Sequence, residues 1–311
     1  FPPLLFFSFR GGRFMKKTRE EKILTFLFIL PSIILIAVFV YGFIAWTGWV
    51  SLTNWKDVIP DFTFVGFKNY IDLFNNLRFQ ISFKNILVFT VLFLVASIAI
   101  GLLLAILLDR KVRFENVFRS IYLFPMAISF IVTGVVWRWM LNPGTTITGS
   151  LGINMLLDKI GLGFLKSGWY NDPNVGIKAV VIPAVWQMSG YVMAMYLAGI
   201  RGIPQELSEA AQVDGASSWQ VYRYIILPLL QPITLGAVII LTHISLKIFD
   251  LVVAMTGAGA GFSCDVPALF MYDTTFRGNF FAQGAAIATI LLIFVAILII
   301  PYLWSGLRGG S

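Results

Sequence analysis

Of the 311 residues, 58% are hydrophobic and only 12% are charged, with a formal net charge of +8. Soluble domains average roughly half apolar and a quarter charged residues, so a water-soluble fold could not hide this much apolar surface. The basic residues sit at the ends of apolar runs and not along one stripe, which argues against nucleic-acid binding. A single cysteine, Cys264, excludes an intramolecular disulfide or a Cys-rich metal cluster, and a single histidine, His243, argues against His-based metal sites and catalytic triads.

In chain order, Phe1 to Phe14 precede Met15-Lys16-Lys17, which reads as a bacterial membrane-protein start, so residues 1–14 are expected to be an upstream extension. Residues 15–22 are expected to form a cytoplasmic amino-terminal segment, 23–304 a membrane domain and 305–311 a cytoplasmic tail. The apolar run after Lys22 is too long for a cleavable signal. Runs of about twenty apolar residues, the length that crosses a bilayer as a helix, predict spans at Ile23–Trp46, Ile86–Leu108, Ile121–Leu141, Ile177–Ile200, Pro232–Met255 and Ala282–Trp304. A spanning strand needs only about ten residues and would alternate in polarity, so the fold class is all-α integral membrane with six spans.

With a cytoplasmic amino terminus, the inner segments hold thirteen Lys and Arg residues: Arg10, Arg13, Lys16, Lys17, Arg19, Lys22, Arg110, Lys111, Arg113, Arg119, Arg201, Arg223 and Arg308. The longer outer segments hold eight: Lys56, Lys68, Arg78, Lys84, Lys159, Lys166, Lys178 and Arg277. The positive-inside rule therefore favours both termini in the cytoplasm. Two long outer connections, Thr47–Phe83 and Asn142–Gly176, contain turn formers such as Asn142-Pro143-Gly144 and suit either short interfacial helices or a surface for a soluble partner.

The most informative stretch is residues 201–228, between the fourth and fifth spans. Pro204 suits a helix start, because its missing N–H would lack a partner there anyway. Glu206 and Glu209 favour the positive end of that helix, and Ala210-Ala211 present a small face for packing. Gly215 permits a turn, Ser217 or Ser218 can cap a second helix, and Pro228 is expected to end it.

This segment resembles the cytoplasmic EAA signature of binding-protein-dependent ABC importer permeases: Glu209, Ala210 and Ala211, then Asp214 and Gly215, then Ile225, Leu227 and Pro228. The form Asp214-Gly215-Ala216 is similar to the carbohydrate subfamily of maltose and glycerol-phosphate types. The likeness runs from about Arg113 to Trp304 and includes Phe249-Asp250 and Thr256-Gly257, with Gly259-Ala260-Gly261 where those families often show Gly-Gly-Pro. The stretch Asp265–Gly284 looks most like glucose- or mannose-type permeases. What the resemblance implies is a type I importer permease whose cytoplasmic coupling helix sits in a cleft of an ATPase subunit. The implied partners are a second homologous permease, two ATP-binding subunits, an extracytoplasmic sugar-binding protein and membrane lipid, with residence in the bacterial inner membrane. The chain has no Gly-x-x-x-x-Gly-Lys-Ser/Thr sequence, so ATP and magnesium are expected in the partner ATPase and no cofactor or catalytic residue in this chain.

Polar residues inside spans are costly and usually face a protein interior or a water-filled cavity. The fourth span offers Gln187, Ser189 and Tyr191, and the fifth Thr242, His243, Ser245, Lys247 and Asp250, types that suit sugar hydroxyls. By resemblance to maltose-type permeases, the substrate contacts fall near Gln187, Met188, Tyr191, Ser245 and Ile248. Lys247 and Asp250, one helical turn apart, either serve the pathway or neutralise each other; His243 suits an interhelical hydrogen bond and Arg138 suits snorkelling. The glycines of the outer stretch Thr256–Phe281 either lie near the binding protein, as the resemblance implies, or only reverse the chain. A secondary carrier would show internal repeats with interrupted helices, and an enzyme would show a cofactor motif or catalytic dyad; neither is found.

Overall fold

The computed structural model describes residues 19–110 and 113–308. The expectations that rest on Phe1–Phe14, Lys16, Lys17, Lys111 and residues 309–311 lie outside the described residues. The chain divides after Thr47 into two compact units. The first holds α1 (Arg19–Ile36), a π-helical stretch at Ala37–Gly42 and the start of α2 (Phe43–Val50), whose last three residues belong to the second.

The second unit continues with α3 (Lys68–Phe74), α4 (Leu77–Asp109), α5 (Glu115–Leu123), α6 (Phe130–Met140), α7 (Gly152–Lys159) and α8 (Gly176–Gly202). Then come α9 (Gln205–Val213), α10 (Ser218–Val221), α11 (Leu227–Leu229), α12 (Gln231–Leu246), α13 (Asp250–Met255), α14 (Pro267–Tyr272) and α15 (Phe281–Arg308). Among the described residues, β-structure is limited to the isolated bridges Thr53–Phe64 and Thr145–Gly149.

Four helical runs are long and apolar enough to cross a membrane: 26–50, α4, α8 and the 281–298 part of α15. Two bent pairs, Glu115–Ala127 with Phe130–Met140 and Ser218–Leu229 with Gln231–Leu246, raise the number to six. The third and fifth predicted spans are therefore corrected from straight helices to broken ones. In the third, Pro125 lacks an N–H, the chain tightens to a 3₁₀ turn at Phe124–Ala127, and Ile128 is extended, giving a 99° bend. In the fifth, the chain bends by 60° at Leu230 and leaves the helical ladder again after Leu246, where the Phe249 N–H donates to the Lys247 carbonyl at 2.7 Å. Lys247 and Asp250 thus lie on either side of a break, and no ion pair joins them among the described residues, so of the two alternatives the mutually neutralising pair is not formed.

The second span begins nine residues earlier than expected, at Leu77, because the Asn76 side chain caps it by accepting from the Phe79 N–H at 3.1 Å. At 33 residues α4 is about 50 Å long, well beyond the hydrocarbon thickness of about 30 Å, so one end projects outside the apolar layer. Its buried residues Ile86, Phe89, Phe93, Ser97, Gly101, Ala105 and Leu108 recur at intervals of three and four, one face of a helix. That face packs on α8, which is buried along most of its length. Lipid is as apolar as leucine, so close fit and hydrogen bonds hold such a pair more than apolar burial does. A Cβ on Gly101 would sit 2.6 Å from a Val192 methyl and 2.9 Å from the Met193 nitrogen.

Gly101→Val should push α4 and α8 apart and destabilise the fold by about 1–3 kcal/mol, the usual cost of overpacking. Thermal unfolding in detergent checks this through a lower midpoint than the parent protein shows.

Candidate functional site

At the end of the bundle where α4 and α8 finish, the chain builds a helix–turn–helix foot. Pro204 takes the cap position before α9. The last turn closes as a Schellman motif: the Gly215 N–H donates to the Gln212 carbonyl at 3.0 Å and the Ala216 N–H to the Ala211 carbonyl at 2.9 Å. Gly215 holds φ +87°, a left-handed conformation that costs other L-residues about 1–2 kcal/mol. Ser217 then opens α10 with a reciprocal capping box, in which its hydroxyl accepts from the Gln220 N–H and Gln220 Oε1 accepts from the Ser217 N–H at 2.7 Å.

The foot is two-faced. Ala211 and Ala216 pack against the main core, whereas Leu207, Ala210, Val213 and Trp219 are exposed, Val213 by 87% and Trp219 by 71%. Glu209 is exposed beside a cavity of about 370 Å³ that Asp109, Gln205, Ser208, Gln212 and Tyr222 also line. Behind the cavity the Tyr222 hydroxyl donates to Asp109 at the end of α4, at 3.2 Å, and Arg201 at the end of α8 pairs with Glu115 at the start of α5, at 2.8 Å. Asp214 caps the end of α9, Ile225 and Leu227 are half-buried, and Pro228 is exposed. Pro228 does not stop the helix as expected. Its missing N–H is accommodated by a π-helical widening at Tyr222–Ile226, with the Leu227 N–H reaching back to Tyr222, and the break falls two residues later at Leu230.

The mid-bundle residues separate into two groups. Gln187, Met188, Ser245 and Ile248 are buried in the interior. Gln187 donates to the Ile128 carbonyl at 2.6 Å, and Ser245 accepts from Thr90 of α4 at 3.0 Å while donating to the Thr242 carbonyl. Tyr191 is half-buried, and His243, Lys247 and Asp250 are exposed. His243 and Lys247 line a largely apolar cavity of about 590 Å³ with Tyr272 and Leu291, and His243 makes no interhelical hydrogen bond among the described residues. Arg138 is exposed in the last turn of α6, and its carbonyl accepts from the Tyr170 hydroxyl at 3.1 Å.

The opposite end of the bundle is fastened by an ionic staple. Arg78, on the projecting turns of α4, bonds Asp265 through Nε and Asp273 through a terminal nitrogen, each at 2.6 Å, and its guanidinium lies 5.1 Å from the Phe262 ring centre and 4.9 Å from that of Phe270. Asn85 donates to the Phe262 and Asp265 carbonyls, both at 2.9 Å. Burial pushes the Asp265 carboxyl above its usual range while Arg78 pulls it down. The stretch Thr256–Phe281 is thus more than a flexible reversal. Sequence reasoning missed Arg78, Asp109, Glu115 and Tyr222; the only local signal for Arg78 is a lone arginine just ahead of an apolar run.

A helical bundle with four membrane-length helices, two further helix pairs broken by bends of 99° and 60°, and an exposed apolar foot at one end fits a multi-pass membrane component. The chain belongs to the family of binding-protein-dependent transport system inner membrane components, whose model matches residues 97–309. It is 46% identical over 283 residues to a probable ABC transporter permease protein of Pyrococcus horikoshii, covering 91% of this chain and 95% of that one. It is 35% identical over 280 residues to the xylose/arabinose import permease protein XacH of Haloferax volcanii, covering 89% and 86%. Its fold is that of a chain in a bacterial ABC transporter involved in the import of the acidic polysaccharide alginate, with a TM-score of 0.77, 22% identity and coverage of 94% and 98%. The chain is therefore a membrane translocation subunit of a binding-protein-dependent importer.

Arg78→Met should leave Asp265 buried without its cation and cost about 3–5 kcal/mol. The loss should grow as pH rises from about 4 toward neutrality, because the unfolded carboxylate ionises there while burial, no longer opposed by Arg78, disfavours the charge on the folded one. Unfolding midpoints across that range, with Arg78→Met/Asp265→Asn recovering part of the loss, check it.

Proposed function

We propose that the chain forms half of the sugar pathway of an ATP-driven importer and takes its driving force through the α9–α10 foot. The observation that carries this reading is the foot itself: an exposed apolar face on a capped helix pair, joined without a loop to the fifth span and braced against α4. A partner that pushes on Leu207, Ala210, Val213 and Trp219 moves a stiff lever whose other end is the membrane bundle.

The partners are two ATP-binding subunits, which hold the ATP and magnesium, a second homologous permease and an extracytoplasmic sugar-binding protein. Glu209, Ala210, Ala211, Asp214, Gly215, Ile225, Leu227 and Pro228 serve the coupling. The foot then lies in the cytoplasm together with both termini, and the Arg78 staple lies on the outer side of the cytoplasmic membrane, the orientation that the lysines and arginines favour. Carbohydrate as the cargo follows from the Asp214-Gly215-Ala216 form of the signature and agrees with the pentose-import name of the Haloferax volcanii relative. Tyr191, Lys247 and Asp250 face the path in this arrangement, Met188, Ser245 and Ile248 lie beside the breaks, where helix movement uncovers them, and Gln187 borders the path while its amide is held by the Ile128 carbonyl.

In proteoliposomes holding the co-expressed complex, Glu209→Lys and Gly215→Val should each abolish sugar uptake and substrate-stimulated ATPase while the permease still inserts and is recovered from the membrane. Normal uptake by both variants would overturn the reading.

A further inference from the structure

The third span has two arms whose main partners differ, although the outer one also touches α8 through the Trp137 and Trp186 rings, 5.9 Å apart. The inner arm, α5 with the turn Phe124–Ala127, rests on α8, where Gly190 has no Cβ and so admits the Tyr122 carbonyl. The outer arm, α6, rests on α13, and a Cβ on Gly134 would lie only 2.8 Å from that of Ala254. α13 itself begins just after the break at Lys247–Phe249. The two outer half-helices therefore pack chiefly on each other beyond a pair of breaks, and the inner half of the third span packs chiefly on α8.

Within the membrane a carbonyl freed by a break needs a donor from elsewhere. At this joint the Ile128 N–H donates to the Pro125 carbonyl at 3.1 Å, and the Ser129 hydroxyl accepts from the Val132 N–H at 3.3 Å. The Ile128 carbonyl takes its hydrogen bond from Gln187 of α8, a side chain only 2% exposed. The same amide leaves its own Oε1 buried without a partner among the described residues. A leucine at 187 would remove that orphan oxygen and create another at Ile128, each worth about 1–3 kcal/mol, so the two effects nearly cancel in stability. Local stability is thus a poor reason for a glutamine here; control of the joint is a better one.

We propose that Gln187 is a positioning residue of the transport cycle: its amide fixes the joint of the third span to α8, and the outer arm turns about Ile128–Ser129 together with α13 as the pathway changes access. This rests on the coupled-importer reading above. That reading is checked separately by ATP-dependent uptake in the parent complex, so a failure confined to the distances across the joint or to the Gln187 variant counts against the joint alone.

The experiment uses the full complex, with spin labels on cysteines introduced at Phe118 and Trp139, exposed positions on the inner and outer arms; native Cys264 is buried. Electron–electron distances are read without nucleotide and after trapping with a non-hydrolysed ATP analogue. The distance should shift on trapping in the parent sequence, and in Gln187→Leu the nucleotide-free distribution should already be broadened. Gln187→Leu should also lower maximal uptake about tenfold, the equivalent of one lost buried hydrogen bond, with KM and the unfolding midpoint close to those of the parent. An identical distance in both parent states overturns the proposal, whatever the variant does. So does a Gln187→Leu complex with raised KM and an unchanged maximal rate, the signature of a direct sugar contact.

Discussion

Backbone that leaves its helical ladder inside a membrane has to be satisfied by the protein, since lipid offers no hydrogen bonds. The architecture follows from where this chain meets that demand. α4 and α8 run as single continuous helices and form the central pair, while the third and fifth spans break and draw on them. Gln187 answers the free carbonyl at Ile128, and the Tyr196 hydroxyl donates at 2.8 Å to Thr234, whose own hydroxyl donates to the Leu230 carbonyl at the 60° bend. The result is a continuous central pair flanked by two bent neighbours whose breaks are hydrogen-bonded to it.

The two ends of the bundle use different chemistry for different tasks. At the foot, caps and a Schellman turn give a stiff element with an open apolar face, and the ties behind it run to the ends of α4, α5 and α8 through Asp109, Tyr222, Arg201 and Glu115. Those ties are part-buried or exposed, so each contributes little alone, and their effect is to set direction. At the other end Arg78, between the buried Asp265 and the half-buried Asp273, holds the Thr256–Phe281 stretch to the projecting turns of α4. Removing one partner there is costly, which suits a part that keeps its shape while the middle moves.

Much of this was legible in the sequence because run length and local spacing carry it. The apolar blocks located every membrane-length helix, and the spacing from Glu209 through Gly215 to Ser217 announced the foot, since a cap, a left-handed glycine and a helix start are local decisions. The breaks were harder. Pro125 sits in an apolar run as blandly as Pro183 does, yet the third span bends at the first and α8 continues through the second, so a proline alone does not announce a break. The interior face of the fifth span also misled: Ser245 and Lys247 look equally available to a substrate, but the packing of α4 buries one and leaves the other open. The Arg78 staple joins residues almost two hundred positions apart, which no local pattern reveals.

The central claim is that the foot is where a nucleotide-hydrolysing partner pushes. A photo-crosslinking amino acid placed at Val213 or Trp219 in the co-expressed, membrane-embedded complex tests it most directly. The account predicts covalent capture of the ATP-binding subunit at both positions, with a yield that changes between nucleotide-free and ATP-trapped states. Capture of the extracytoplasmic binding protein, or of lipid alone in both states, would contradict it.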